Sequence, residues 1–258
     1  MIQINLEILP IQLYTRQLRQ KKNSFYNTYC QFDKRVGRFF FNDTCMQICL
    51  QKIVPSFFSK QDYTDSEVWD KSVIFNKGEN VHIVAPSGSG KTSLIHFLYG
   101  LRNDYTGDIL YGTENIKAFD AEKFSLWRKQ HISIVFQDMR LFTDQTVWQN
   151  LEIKRLLSPY HNESRIAVMA KKLGIESKLD KLCSTCSYGE QQRVAIIRSL
   201  LQPFDFLLLD EPFSHLDDSN TKKAMALIEE EAAARNAAIL LNDLRKIDHL
   251  KAERILYL

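Results

Sequence analysis

The chain has 258 residues, a net charge of +3 and a mean hydropathy of −0.27. That length can bury a full core, and one domain accounts for most of it, while no apolar run reaches the roughly 18–20 residues needed to cross a bilayer. Five cysteines, an odd number, fit a reducing cytoplasm rather than a disulfide scaffold.

Residues 1–45 stand apart. They hold seven Lys/Arg (Arg16, Arg19, Lys21, Lys22, Lys34, Arg35, Arg38) and three acids (Glu7, Asp33, Asp43), a balance of +4, so the remainder carries −1. The stretch also holds many aromatics, among them Phe25, Tyr26, Tyr29, Phe39, Phe40 and Phe41. A basic aromatic arm would suit a nucleic-acid or membrane surface. The plainer expectation is a poorly structured extension with no clear helix or strand period, possible in a chain whose working protein starts at Met46. No signal peptide is expected, because the N-terminus lacks a compact hydrophobic stretch followed by a small-residue cleavage site.

From Met46 the pattern becomes regular. Residues 49–58 and 68–75 predict strands of an antiparallel layer. Val81-His82-Ile83-Val84 predicts a buried strand and leads into Ala85-Pro86-Ser87-Gly88-Ser89-Gly90-Lys91-Thr92. Glycine tolerates the positive φ of a tight loop, and Lys91 to Leu98 then predicts a helix. The loop of residues 85–93, Ser93 included, would face phosphates with its backbone N–H groups, which Pro86 lacks, and with the positive helix end. Lys91 would reach the β/γ-phosphates and the Thr92 hydroxyl would ligate Mg²⁺. The strict pattern has Gly where Ala85 stands, which costs little only if φ there is negative.

Residues 131–136 predict a strand ending at Gln137. Helical spacing follows over 145–157 and 163–173. Cys183-Ser184-Thr185-Cys186 is a CxxC, but no second pair or nearby His completes a zinc site. Residues 204–209 are nearly continuous hydrophobe, as in a strand buried on both faces. Asp210 stands at its C-terminal end, where open α/β sheets bind ligands. It can hold Mg²⁺, usually through water, and Glu211 can orient or deprotonate the attacking water. Asp218 or Ser219 would cap a helix over 222–235, and strands at 238–241 and 254–258 complete a mostly parallel sheet.

The order of these motifs resembles the ATP-binding cassette (ABC) ATPase family. Cys186-Ser187-Tyr188-Gly189-Glu190-Gln191-Gln192-Arg193 is similar to its LSGGQ-type signature, Gln137 to its Q-loop glutamine, and Ser214-His215-Leu216-Asp217 to its D-loop. The resemblance covers about residues 46–258. It implies an α/β fold: a P-loop NTPase core with a mostly parallel sheet, an antiparallel β layer and a helical subdomain over about 138–200. It also implies two cassettes, as a homodimer, trapping two ATP molecules with Mg²⁺. Each nucleotide lies between one phosphate loop and the partner's signature, where Ser187, the N–H of Gly189 and Glu190 would meet it. Gln137 would touch Mg²⁺ or the water and report to a membrane partner. An early aromatic would stack on the base: Phe58 aligns best, with Phe57 and Tyr63 as rivals.

Three positions depart from the family: Ala85, Tyr188 in place of the first signature glycine, and Asn242 where the switch histidine belongs. Asn can bond to the γ-phosphate but carries no proton at neutral pH. Retained Lys91, Gln137, Asp210 and Glu211 imply binding and some hydrolysis, at a reduced rate. His215 is expected in an exposed polar role. The implied function is a cytoplasmic, Mg-dependent ATPase subunit, held peripherally at the inner face of the cell membrane by a separate permease, with no nucleic-acid partner. Residues 120–142 are similar to the branch containing lipoprotein-release, macrolide-efflux and cell-division ATPases. The alternatives are a binding-only regulatory cassette, motivated by Asn242 and Tyr188 and opposed by Glu211, and a soluble non-transport ABC protein, which would bring a second cassette, a long coiled coil or zinc insertions.

Overall fold

The computed structural model describes residues 30–33, 38–41, 46–246 and 250–258. The chain divides into two units, Met1–Cys45 and Met46–Leu258. In the first unit, β1 (Cys30–Asp33) and β2 (Arg38–Phe41) pair antiparallel. The expectation of no strand period is corrected there: three consecutive phenylalanines do not alternate, yet aromatics favour extended backbone. Arg16, Arg19, Lys21, Lys22, Lys34 and Arg35, on which the basic-arm reading rests, lie outside the described residues.

The second unit begins with an antiparallel layer of β3 (Gln47–Pro55), β4 (Ser72–Asn76), β6 (Tyr105–Tyr111) and β7 (Glu114–Asn115), in the order β4-β3-β6-β7. Ile48, Leu50 and Ile53 of β3 are buried; the register shifts between Gln51 and Val54, around Lys52 with its φ of 51°. Two strand bounds move inward from the sequence reading. β3 ends at Pro55, and Val68 and Trp69 precede β4 in a turn whose N–H groups both donate to Ser66 Oγ. Their apolar character serves the core rather than a strand.

The parallel sheet comprises β5 (Asn80–Val84), β8 (Ile132–Val135), β9 (Phe206–Asp210), β10 (Ala238–Asp243) and β11 (Arg254–Tyr257), in the order β11-β5-β10-β9-β8. Its two faces bury different cores, because side chains alternate along a strand. Phe206, Leu208, Ala238 and Leu240 pack towards the antiparallel layer. Leu207, Leu209, Ile239 and Leu241 pack towards the helices. Helices α1 (Lys91–Leu98), α2 (Ala121–Gln130), α3 (Val147–Leu157), α4 (Ser164–Lys172), α5 (Tyr188–Leu200) and α6 (Asp218–Ala233) fill the connections. α2, β6 and β7 were not anticipated.

Capping sets two helix starts. Asp217, not Asp218 or Ser219, caps α6: its carboxylate accepts the Asn220 N–H at 2.7 Å. Ser187 caps α5 in a reciprocal pair with Glu190, a capping box. The helical subdomain is fastened to α6 by a buried charge cluster. Glu231 accepts from His161 at 2.7 Å, from Arg235 at 2.6 Å and from Arg165. Among the described residues no helix is long and apolar enough to cross a membrane.

Candidate functional site

The loop between β5 and α1 is built for a close approach. Gly88 and Gly90 both have φ of 87°, a conformation that L side chains resist. A Cβ on Gly90 would lie 3.0 Å from the rings of Phe58 and Trp69, whereas one on Gly88 meets nothing within 4 Å. The loop is therefore backed at Gly90 and open at Gly88. Trp69 Nε1 donates to the Ser89 carbonyl at 3.0 Å, which fixes the backbone further. Ala85 is not among the residues of positive φ, so the missing glycine brings no strain there.

Lys91 curls back under this loop. Its ammonium donates to the carbonyls of Ala85 and Pro86 at 2.9 and 2.8 Å and lies 3.8 Å from Glu211. Burial lowers its pKa, and the charges of Glu211, Asp210 and Asp243 oppose that shift. The Ser93 hydroxyl, at the same helix start, accepts from Arg102 at 3.1 Å.

Asp210 ends β9, only 1% exposed. Burial pushes its carboxyl up to about 6, against the pull of the nearby Thr92 hydroxyl, the Asn242 amide and the charge of Lys91. Its Oδ2 is buried with no partner. An orphaned carboxylate oxygen beside a threonine hydroxyl is a fitting donor set for a hard divalent cation. Glu211 follows in the left-handed region, with φ of 46°. Its N–H donates to the Asn242 carbonyl at 2.9 Å, and its Oε2 accepts from Gln137 Nε2 at 3.2 Å. One constellation thus gathers Lys91, Thr92, Gln137, Asp210, Glu211 and Asn242. Asn242 itself is 0% exposed and directs its amide at Asp210, 3.3 Å away.

The aromatic candidates separate by exposure. Phe58 packs edge-on against Phe57 and Trp69, with centroids 5.1 and 5.9 Å apart. Phe57 is 56% exposed and carries the Arg102 guanidinium 5.2 Å from its ring centroid. Tyr63 packs partly buried against the core under the antiparallel layer.

Ser187, Gly189 and Glu190 form a second group at the start of α5. Ser187 remains exposed. The Glu190 carboxylate is engaged by the Ser187 N–H at 2.8 Å and by Lys178 at 3.1 Å, which together hold its pKa down. Its visible work is to cap the helix. Sequence reasoning passed over Gln192, which is buried one turn further on. Its amide donates to the Glu211 carbonyl and to Ser214 Oγ at 3.4 and 3.2 Å, and it accepts the His215 N–H at 2.9 Å. Its place five residues after the helix cap Ser187 and one turn after Tyr188, facing inward, was the available signal.

Comparison with known proteins identifies the family and the fold. The family model described as ABC transporter matches residues 69–214. The lipoprotein-releasing system ATP-binding protein LolD of Buchnera aphidicola subsp. Acyrthosiphon pisum is 31% identical over 70% of this chain and 80% of its own length. The macrolide export ATP-binding/permease protein MacB of Nitrosomonas europaea is 32% identical over 66% of this chain, but over only 26% of its own length. Among solved structures, the dimeric post-hydrolysis state of the ATP-binding cassette MJ0796, bound to ADP and Pi, aligns with a TM-score of 0.71 at 22% identity, covering 82% of this chain and 94% of that one. That likeness establishes the fold.

Proposed function

This chain belongs to the ABC transporter family, and we propose that it is an ATP-binding, ATP-hydrolysing subunit that couples closure of a cassette homodimer to a separate membrane permease. The observation that carries the reading is Asp210: a buried carboxylate oxygen without a partner, beside Thr92 and under a loop whose ammonium, Lys91, is already in place. Mg²⁺ bound by Thr92 and Asp210, with Gln137 near, would neutralise phosphate charge. The chain's own residues do the rest.

Backbone N–H groups of residues 87–92 and the N-terminus of α1 hold the phosphates. Lys91 exchanges its two carbonyl partners for phosphate oxygens. Glu211 accepts the proton of the attacking water, and Gln137, already bonded to it, keeps the carboxylate in register. Phe57, the exposed ring, stacks on the base, and Phe58 backs the loop at Gly90. The Ser187 hydroxyl and the N–H of Gly189 serve the nucleotide of the partner cassette. LolD and MacB act, by their names, in lipoprotein release and macrolide export; that relation favours an exporter-like or mechanical role over a soluble one, and a peripheral place at the inner membrane face.

Two variants test the reading. Lys91→Ala should largely abolish ATP binding while the fold persists. Glu211→Gln should bind ATP, lose turnover and run as an ATP-dependent dimer in size-exclusion chromatography. Normal nucleotide affinity in the first, or a monomer in the second, would overturn it.

A further inference from the structure

One helical turn of α5 holds the loop that leaves Glu211, and one of the residues by which it does so, Tyr188, departs from the family pattern. Tyr188, 68% exposed, does not stand over the helix N-terminus. Its ring lies on His215, centroids 5.4 Å apart and planes 21° from parallel. His215 Nδ1 is 3.0 Å from Ser214 Oγ. Gly189 lies so close beneath that a Cβ there would come within 2.9 Å of the His215 carbonyl. Gln192 completes the grip from inside, bonded to the His215 N–H, to Ser214 and to the Glu211 carbonyl. The segment so held begins at Glu211, whose left-handed backbone is unusual for a non-glycine residue. Such conformations persist only where the surroundings determine them.

We propose that Tyr188 and His215 form a positioning pair: their stack closes the D-loop onto α5 and so helps hold Glu211 in its working conformation. The inference rests on the reading of Glu211 as the base. It reverses the plain expectation from sequence, because Tyr188 then supports turnover instead of obstructing the signature. The pair also joins two sites. α5 presents Ser187 to the partner's nucleotide, while Glu211 acts on the chain's own, so the stack ties capture of one nucleotide to hydrolysis of the other.

Hydrogen–deuterium exchange on the nucleotide-free full chain tests the pair without requiring turnover. Tyr188→Ala and His215→Ala should each speed exchange at the amides of residues 214–216 by about 2- to 10-fold, the range an aromatic pair supplies. The double variant should go no further than either single one, and Tyr188→Phe should exchange as the wild type does. In parallel, Tyr188→Ala should lower kcat for ATP and leave KM unchanged, a split that general destabilisation would not give. Unchanged exchange in Tyr188→Ala, additive effects in the double variant, or a kcat equal to or above wild type would overturn the proposal. Absence of turnover in the wild type would instead sink the underlying hydrolase reading, and the pair would be decided by exchange alone.

Discussion

Asn242 and Asp210 are register partners on neighbouring parallel strands, and the Asn242 side-chain amide donates to Asp210 Oδ1 at 3.3 Å. Each leaves one oxygen without a partner, Asp210 Oδ2 and Asn242 Oδ1. The pair is therefore half satisfied, and a low local dielectric makes that costly. Something that brings positive charge would complete it.

The pH dependence follows from the raised carboxyl, at about 6 against an ordinary 3.8. The folded chain keeps this proton to higher pH than the unfolded chain does. The group's contribution to stability is thus fully present below about pH 4 and is lost as pH rises through about 6. Mg²⁺ with nucleotide should repair the loss, so the ligand-induced gain in Tm should be largest above pH 6 and shrink below it. Asp210→Asn should raise the Tm of the ligand-free protein at neutral pH, flatten its change between about pH 4 and 6, and abolish turnover. Thermal melts across that window, with and without Mg-ATP, check all three.

Asn242→His restores the side chain the family resemblance calls for. Turnover should rise, since one well-placed polar contact in a transition state is commonly worth about 10²-fold. The assay is steady-state hydrolysis with the permease partner present. A flat result would mean that the site has adapted to a buried amide that serves Asp210 alone, as its zero exposure suggests.

The phosphate loop, the Asp-Glu pair and the parallel strands were legible because each has a local cause. A buried strand must read as continuous hydrophobe, and a phosphate loop must spend glycines where φ is positive, as at Gly88 and Gly90. What stayed hidden depended on tertiary contact. Val68 and Trp69 look like strand but fill a core above Gly90. α2 has no buried residue, so it offers no apolar stripe to read. Ser93 and Glu190 sit within the right motifs, yet their side chains bond to Arg102 and Lys178. Phe57 and Phe58 are adjacent, and only packing decides which ring is exposed.

Residues 1–45 offer a simple truncation. Both cores and every residue of the site belong to the unit Met46–Leu258. Deleting the first unit should leave the Tm, ATP affinity and ATP-dependent dimerisation of the second unchanged. A large fall in Tm would assign the first unit a structural role, and intact dimerisation with lost membrane association would assign it to a surface or partner.

Glu231 gives the sharpest stability test, because it fastens the helical subdomain to α6. Burial works to raise its pKa, but hydrogen bonds from His161, Arg165 and Arg235 outweigh that and hold it at about 2. The sign is the opposite of that for Asp210: the stabilisation is present above about pH 4.5 and is lost as pH falls through about 2. Removing the carboxylate strands Arg235, whose side chain is buried beside it and lies 3.8 Å from the Tyr160 ring centroid. Breaking one side of a buried pair commonly costs about 3–5 kcal/mol, so Glu231→Ala should lower Tm by several degrees. Replacing Glu231 together with its most buried partner, Glu231→Leu with Arg235→Met, should recover much of that loss, since no buried arginine is then left alone and Arg165 keeps Glu230. His161 and Arg165 lie on the subdomain side and Glu231 on the α6 side, so the single variant should also weaken ATP-dependent dimerisation more than ATP binding. Equal losses in binding and dimerisation would show that the cluster stabilises the fold without setting the orientation of the subdomain.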